Sequence, residues 1–254
     1  MGIRYNSLVP TRGLKFLVDP KNLTKMGSSP YKELTKTTTV TNTGFTEVDG
    51  IWRSNANTTT GAGTSNLSFS NISIATGSFT MAIWLKVTSN PDVGVNNNWR
   101  SVFMNGGSGQ DPFGILMEEG RDMQFTVTTA VGAYRYLGGT FTQFNCTLNQ
   151  WFQVVFAYDG AAGTGFAYRN GALVRSGRMS TTSDTNVTYA VPGEVAKSIT
   201  TGMTYEISND NNVSDPSGAG CFPGDIGPAL LYDRALSADE VYQLHLAYKD
   251  RFGL

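Results

Sequence analysis

Short strand-like runs separated by turn residues fill most of this chain and constrain its fold more than any other feature. In FTMAIWLKV (residues 79–87), apolar side chains alternate with a mixed second set, as in a strand with one face on a core. WFQVVFAYDG (residues 151–160) is apolar on both faces apart from Gln153, which is typical of an inner strand. Asn170 and Gly171 then stand between two β-prone runs, and because both accept a positive φ they predict a type I′ hairpin.

Weaker runs repeat this pattern, with turn signals every ~8 to 12 residues, and indicate an antiparallel sandwich or jelly roll rather than alternating βαβ units. These runs are GLKFLVD, RSVFMN, FGILME, MQFTVTT, YRYLGG, MTYEISN and GPALLYD. Residues 20–76 have β propensity with little apolar content, which favours edge strands and surface loops. We therefore expect an all-β, two-sheet antiparallel jelly-roll sandwich over residues 13–254, preceded by an N-terminal arm over residues 1–12.

The last part of the chain combines one strand-like run with one helix signal in GDIGPALLYDRALSADEVYQLHL (residues 224–246). Ser237 and Glu240 have the spacing of a capping box and precede an apolar helical stripe, so a short C-terminal helix is predicted over about residues 237–250. We expect this helix to close the fold by covering an edge or an end of the sandwich.

The charge of the chain is nearly balanced, which excludes some classes of partner. With 19 basic and 20 acidic residues and a formal net charge of -1, no global field attracts nucleic acid or an anionic membrane. No apolar run approaches the ~20 residues of a membrane-spanning helix, and the start lacks the apolar stretch of a secretory signal. We therefore expect a protein made in the cytoplasm, without a nucleic-acid partner or membrane insertion. Cys146 and Cys221 predict buried or half-buried thiols rather than a disulfide, and their pairing stays open.

Three segments follow one another in an order that is typical of one family. They are FTMAIWLKV, NQWFQVVFAYDGAAGTGFAYRNGALV and GDIGPALLYDRALSADEV. Together they resemble the laminin-G-like, concanavalin A-like lectin-glucanase jelly-roll family over roughly residues 13–250, and YDRALSADEV is the most specific part. The resemblance implies two curved antiparallel sheets, with sugar binding, adhesion or assembly as roles, and does not select one of them. Asp233 and Arg234 match the closing motif of this family, and we expect the Arg234 guanidinium to fix the strand-to-helix corner.

The two ends of the chain carry a narrower resemblance. GLKFLVDPKN near the start and KDRFGL at the end are similar to parts of laminin-G-like structural proteins of tailed bacteriophages, particularly marine ones. This implies a non-enzymatic virion structural protein, a capsid-decoration, neck or fibre-associated module that mediates assembly or surface attachment. Its expected partners are other virion proteins and further copies of itself, because virion parts are usually multicopy. The alternative is a carbohydrate-binding adhesin or lectin module for host-surface glycans, with calcium as a candidate cofactor.

Glycoside hydrolysis needs two carboxylates that flank the scissile bond, and one acidic cluster in the sequence invites that interpretation. It consists of Glu118, Glu119 and Asp122 in LMEEGRDMQF. Because Glu118 and Glu119 are adjacent, a strand would point them to opposite faces, and Gly120 favours a turn instead. His245 is the only histidine, lies in the predicted helix, and has no recognisable nucleophile motif to serve. We therefore predict no catalytic residues and a protein that is not an enzyme.

Exposed aromatic rings beside amides are typical of sugar-binding sites, and two places in the sequence fit. Tyr134 and Tyr136 lie on one face of the run AYRYLGG, and Trp99 follows three asparagines in a predicted loop. These three residues are the candidate ligand-binding set. The structural alternative is that they anchor the core or an interface, as large aromatics in a sandwich more often do.

A calcium ion needs oxygen ligands, and the loop SNDNNVSDPSGAG (residues 208–220) supplies several. The candidate ligands are Asp210, Asn212, Ser214 and Asp215. Their spacing begins like an EF-hand loop but lacks its glycine and its final glutamate, where Asp215 and Cys221 stand. A solvated turn is the favoured alternative to a metal site.

Overall fold

The computed structural model describes the fold as two packed sheets and a covering helix. The residues described are 8–23, 31–32, 39–54, 65–74, 77–89, 100–105, 113–117, 123–128, 134–137, 144, 146–179, 199–208 and 222–254. The strands are β1 (Leu14–Val18), β2 (Tyr31–Lys32), β3 (Thr39–Thr43), β4 (Phe45–Val48), β5 (Ile51–Ser54), β6 (Asn66–Ile74), β7 (Phe79–Val87), β8 (Arg100–Asn105), β9 (Phe113–Met117), β10 (Met123–Thr128), β11 (Tyr134–Tyr136), β12 (Trp151–Asp159), β13 (Thr164–Arg169), β14 (Ala172–Arg178), β15 (Ile199–Ile207) and β16 (Gly224–Tyr232). The helices are α1 (Pro20–Leu23) and α2 (Ala238–Phe252).

The strands form two antiparallel sheets, so the predicted all-β sandwich is confirmed. Sheet A has the order β14-β13-β12-β7-β16-β5-β4, and β1 also pairs with β16. Sheet B has the order β11-β10-β9-β8-β15-β6-β3-β2. Strands that are distant in sequence are neighbours in both sheets, as expected of a jelly roll. Within the described residues, no helix is long and apolar enough to cross a membrane.

The main core lies between the two sheets. The alternating apolar side chains of β7 point into it, and Phe79 stacks on Phe113 of sheet B with ring centroids 3.9 Å apart. Phe156 of β12 and Phe125 of β10 also meet across the core, with centroids 5.2 Å apart. Such aromatic contacts between facing sheets fix their separation and add to the burial of apolar area.

The helix α2 packs on the outer face of sheet A, which corrects the expectation that it covers an edge or an end. Val241 and Leu244 are buried against that face. The ring centroids of Trp84 on β7 and Tyr248 on α2 lie 4.7 Å apart. A Cβ on Gly227 of β16 would lie 2.7 Å from Phe252, so the helix follows the sheet closely down to its last turn. Trp84 lies on the second face of β7, and this face is also buried, which accounts for its apolar side chain.

The Asn170–Gly171 turn joins β13 to β14 and supports α2. Their φ angles are 50° and 78°, the left-handed conformation that a type I′ turn requires. The Asn170 Oδ1 atom accepts a hydrogen bond of 2.8 Å from the backbone N–H of Gln153 on β12. A Cβ on Gly171 would lie 2.9 Å from the His245 Cβ atom, so the turn touches the helix directly.

The two ends of the described chain meet at sheet A. Val9 is buried in the apolar cluster beneath α2, and β1 pairs along β16. Near the end of α2, the Arg251 guanidinium forms an ion pair of 2.6 Å with Asp19 and also donates to the Gly50 carbonyl. Residues at the start and the end of the chain are therefore parts of one structure.

We expect Gly171→Ala to lower the free energy of unfolding by about 1–3 kcal/mol, because an alanine at that φ is strained and its methyl group meets His245. Gly177→Ala on β14 is the matched control, since a Cβ there meets nothing within 4 Å. Urea denaturation of both variants measures the difference. Equal stabilities for the two variants would contradict the packing of the turn on α2.

Candidate functional site

The outer face of sheet A is closed to a large ligand wherever α2 covers it. Ala82, Val155 and Leu230 are fully buried there. This second apolar cluster has the composition of a core, not that of a binding surface.

A row of charges crosses sheet A on three adjacent strands. Asp225 of β16 is 1% exposed and lies in register with Lys86 of β7 and Arg53 of β5. Its two oxygens lie 2.7 Å from the Lys86 ammonium and 3.1 Å from the Arg53 Nε atom. The Lys86 ammonium also lies 5.4 Å from the centre of the Trp151 ring. A buried carboxylate between two cations links the three strands that carry these residues. Removing either cation would destabilise the fold, because it would leave a buried charge without its partner.

The outer face of sheet B has a different chemistry. On β10, Met123, Phe125 and Val127 enter the core, so the intervening Gln124, Thr126 and Thr128 belong to the outer face. At the opposite end of this sheet, Thr41 and Thr43 of β3 are exposed. The side chains that the structure describes on this face are rich in neutral hydroxyl and amide groups, which donate and accept hydrogen bonds.

The sequence-predicted tyrosines belong to this sheet. Tyr134 and Tyr136 lie on β11, in register with Thr128 and Thr126 of β10. The backbone thus places both tyrosines opposite the polar row of β10. Trp99 lies outside the described residues.

Sequence reasoning missed the polar row of β10. Gln124, Thr126 and Thr128 are only 2%, 3% and 4% exposed, so they do not form an open surface. Their signal was the strict alternation in MQFTVT, which marks one apolar and one polar face of a strand.

The predicted calcium ligands Asp210, Asn212, Ser214 and Asp215 lie outside the described residues. The structure does describe the base of their loop, where the Ser208 hydroxyl accepts a hydrogen bond of 2.8 Å from the Phe222 N–H. Among the described residues, no group of three or more His, Cys, Asp or Glu side chains could hold a metal ion. The calcium site therefore stays a prediction.

The acidic cluster Glu118, Glu119 and Asp122 also lies outside the described residues. His245 is 7% exposed against the Gly171 turn, and burial lowers the pKa of its imidazole, with a smaller contribution from the Lys249 charge. The Cys146 thiol is buried and donates to the Phe144 carbonyl, with the sulfur 3.1 Å from the oxygen. Cys221 is outside the described part.

Burial also affects two phenols of the core. It raises the pKa of Tyr205, partly offset by Asn105, and it raises the pKa of Tyr232. Both therefore stay protonated near neutral pH and cannot serve as bases there.

The strand-to-helix corner is held by Arg234. Its two terminal nitrogens lie 2.7 and 2.6 Å from the Glu240 carboxylate, and its Nε atom donates to the Arg12 carbonyl at 2.9 Å. Ser237 and Glu240 exchange the two hydrogen bonds of a capping box. Asp233 forms an ion pair of 2.7 Å with Lys15 of β1. These contacts are structural, since they join the N-terminal segment, β16 and α2.

Comparison with known proteins gives a family and a fold. The family model described as "Concanavalin A-like lectin/glucanases superfamily" matches residues 60–242. A Trypanosoma rangeli sialidase in complex with sialic acid aligns with a TM-score of 0.59 at 14% identity, over 96% of this chain and 34% of the sialidase. The binding domain of Paraclostridial Mosquitocidal Protein 1 aligns with a TM-score of 0.60 at 18% identity, over 93% of this chain and 52% of that one. No curated protein matches the sequence.

The sialidase alignments contradict the expectation that the protein is not an enzyme. Several of the aligned structures are sialidases, and this chain spans about a third of their length. At these identities the alignments show a shared fold alone, and in the sialidases that fold is part of an enzyme. The lack of a recognisable catalytic motif is therefore no ground for excluding an enzyme.

We expect acid to weaken the corner, because the Arg234 guanidinium holds the pKa of Glu240 at about 2, below its ordinary value of 4.5. A lowered pKa means that the ion pair stabilises the fold above pH 4.5 and that this contribution disappears as the pH falls towards 2. With allowance for solvent screening, its loss should cost about 1–2 kcal/mol.

Urea denaturation of the wild type and of Glu240→Gln between pH 6 and pH 2 tests this prediction. The variant should lose less stability over the interval, because it lacks the titrating carboxylate. Asp239→Asn, which removes an exposed carboxylate from the same helical turn, is the matched control. Parallel pH profiles for wild type and Glu240→Gln would contradict the assignment.

Proposed function

Because this chain belongs to the concanavalin A-like lectin/glucanases superfamily, we propose that it is a carbohydrate-binding module whose binding face is the outer face of sheet B. The observation that carries the proposal is the contrast between the two outer sheet faces. The helix α2 closes the apolar outer face of sheet A, whereas the described side chains on the outer face of sheet B are rich in hydroxyl and amide groups, which are exposed on β3 and buried on β10. Sugars bind to proteins through such neutral donors and acceptors, together with aromatic rings.

Within that face, we place the ligand at the edge formed by β10 and β11. The β10 row of Gln124, Thr126 and Thr128 is itself nearly buried, so it serves as a polar support rather than as the contact surface. Tyr134 and Tyr136, in register beside it, supply the aromatic rings. Trp99 and the calcium loop belong to the proposal as further candidate contacts.

The ligand class follows from charge. The described side chains of this face are mostly uncharged, and the whole chain carries a net charge of -1. A neutral oligosaccharide fits this chemistry better than a polyanionic one, because a polyanion would need basic partners. The binding role is in keeping with the aligned mosquitocidal-protein domain, which is itself described as a binding domain.

Isothermal titration calorimetry with a soluble neutral oligosaccharide, selected on a glycan array, tests the proposal. Tyr136→Ala should weaken affinity about tenfold or more, the equivalent of about 1.4 kcal/mol, because a sugar loses its stacking partner. If Tyr136→Ala fails to fold, Tyr134→Ala is the second test variant, and it should weaken affinity to the same extent. Tyr242→Ala, which removes an exposed ring from α2 beside sheet A, is the matched control and should bind normally.

Each free oligosaccharide binds to a single site, so the affinities of the variants can be compared whether the protein is a monomer or an oligomer. Repeating the titration with a calcium chelator shows whether the loop at Asp210 contributes. A wild type that binds no sugar on the array, with or without calcium, would refute the proposal.

A second candidate function is a structural module of a tailed-phage particle, attached to other virion proteins. It is supported by the resemblance of GLKFLVDPKN and KDRFGL to phage proteins, and the two segments are in contact through Asp19 and Arg251.

Quantitative mass spectrometry across a density gradient of particles from the source culture tests the second candidate. A virion protein should peak with the major capsid protein at a fixed ratio, because virion parts are assembled in fixed copy number. Recovery in the soluble or cell-envelope fractions instead would rule out the particle assignment.

A further inference from the structure

Two large apolar side chains are exposed where a soluble surface would ordinarily carry polar groups. Leu173 on β14 is 51% exposed, and Tyr242 on α2 is 53% exposed. Only one other large apolar side chain among the described residues, Leu8 at 39%, is comparably exposed. Exposed apolar residues that occur singly need no explanation, but a shared patch does.

Leu173 and Tyr242 do share a patch. Leu173 is in register with Tyr168, whose side chain is buried beneath α2, so Leu173 stands on the face of sheet A that carries the helix. Gly171, two residues before Leu173, lies so close to the helix that a Cβ there would be 3.0 Å from the Tyr242 ring. The Asn170–Gly171 turn thus brings the strand and the helix together as one apolar surface.

Opposite charges flank this patch. Arg178 is exposed further along β14. The register of β14 against β13 shifts between these positions, so that Arg178 pairs with Thr164 and Leu173 with Tyr168. Because Thr164 and Tyr168 share one face of β13, Arg178 and Leu173 share that face too. Asp239 is exposed one helical turn before Tyr242. The patch therefore has an acidic side on the helix and a basic side on the strand.

We propose that this patch is the interface of a two-fold symmetric homodimer, in which α2 of each copy packs on β14 of the other. A two-fold axis through the apolar centre pairs the acidic side of one copy with the basic side of the other twice over. The complementarity is within a single surface, which favours a second copy of this chain over a different protein. The same geometry leaves the outer face of sheet B free on both copies.

The inference stands apart from the proposed sugar binding. A dimer with two free sheet-B faces would bind a multivalent glycan surface more tightly than one copy does, through effective concentration. Self-association and affinity for a free oligosaccharide are separate measurements, so either can fail while the other holds.

Analytical ultracentrifugation over a concentration series tests the dimer. The wild type should sediment as a dimer, and Leu173→Lys and Tyr242→Lys should each raise the dissociation constant at least about tenfold. Thr46→Lys is the matched control, because it adds the same charge at an exposed position of β4, at the far end of sheet A from β14. Thermal denaturation checks that all variants remain folded.

A charge exchange tests the arrangement within the interface. Asp239→Lys and Arg178→Asp should each weaken the dimer about fivefold or more, since each places like charges opposite one another. The double variant should recover to within about twofold of the wild type, because it restores opposite charges with the sides exchanged. A monomeric wild type, or a dimer that is unaffected by Leu173→Lys and Tyr242→Lys, would overturn the proposal. A dimer that the double variant fails to rescue would overturn the pairing of helix with strand.

Discussion

The fold depends on the need to bury both faces of β16. Every residue of this strand is buried, and its neighbours are β7 on one side and β5 and β1 on the other. One face contributes Leu231 to the core shared with sheet B, and the other contributes Leu230 and Tyr232 to the cluster beneath α2. A strand that is apolar on both faces is stable only with a layer packed on each. Sheet B supplies one layer and α2 the other.

This constraint also underlies the choice of the proposed binding face. Because α2 covers the outer face of sheet A, we place the proposed sugar contact on the outer face of sheet B instead. The corner built from Arg234 and Glu240 joins α2 to the end of β16, so it helps to keep the helix on sheet A. Catalytic chemistry is not excluded by this division of roles, because the same fold occurs within sialidase chains.

Local features of this fold could be predicted from sequence, and long-range ones could not. The Asn170–Gly171 turn and the spacing of Ser237 and Glu240 are determined by a few consecutive residues, so their patterns are sufficient. The pairing of Arg53 with Asp225 joins residues 172 positions apart and has no local pattern. The position of α2 depended on strand order, which periodicity does not give. On β10, the alternation in MQFTVT marks a polar face, but glutamine and threonine do not reveal that this face is nearly buried.

The place of β16 in the chain has a consequence for how the protein folds. The central strand of sheet A is synthesised after every other described strand, and the helix that covers it follows. Until then β7, β5 and β1 lack the neighbour that joins them, so the described strands of sheet A remain three unconnected pieces with exposed apolar edges. Contacts that link the first and last segments are slow to form, because a long loop must close before they contribute. The intact C-terminal segment is therefore a condition for assembling a sheet whose other strands were synthesised much earlier.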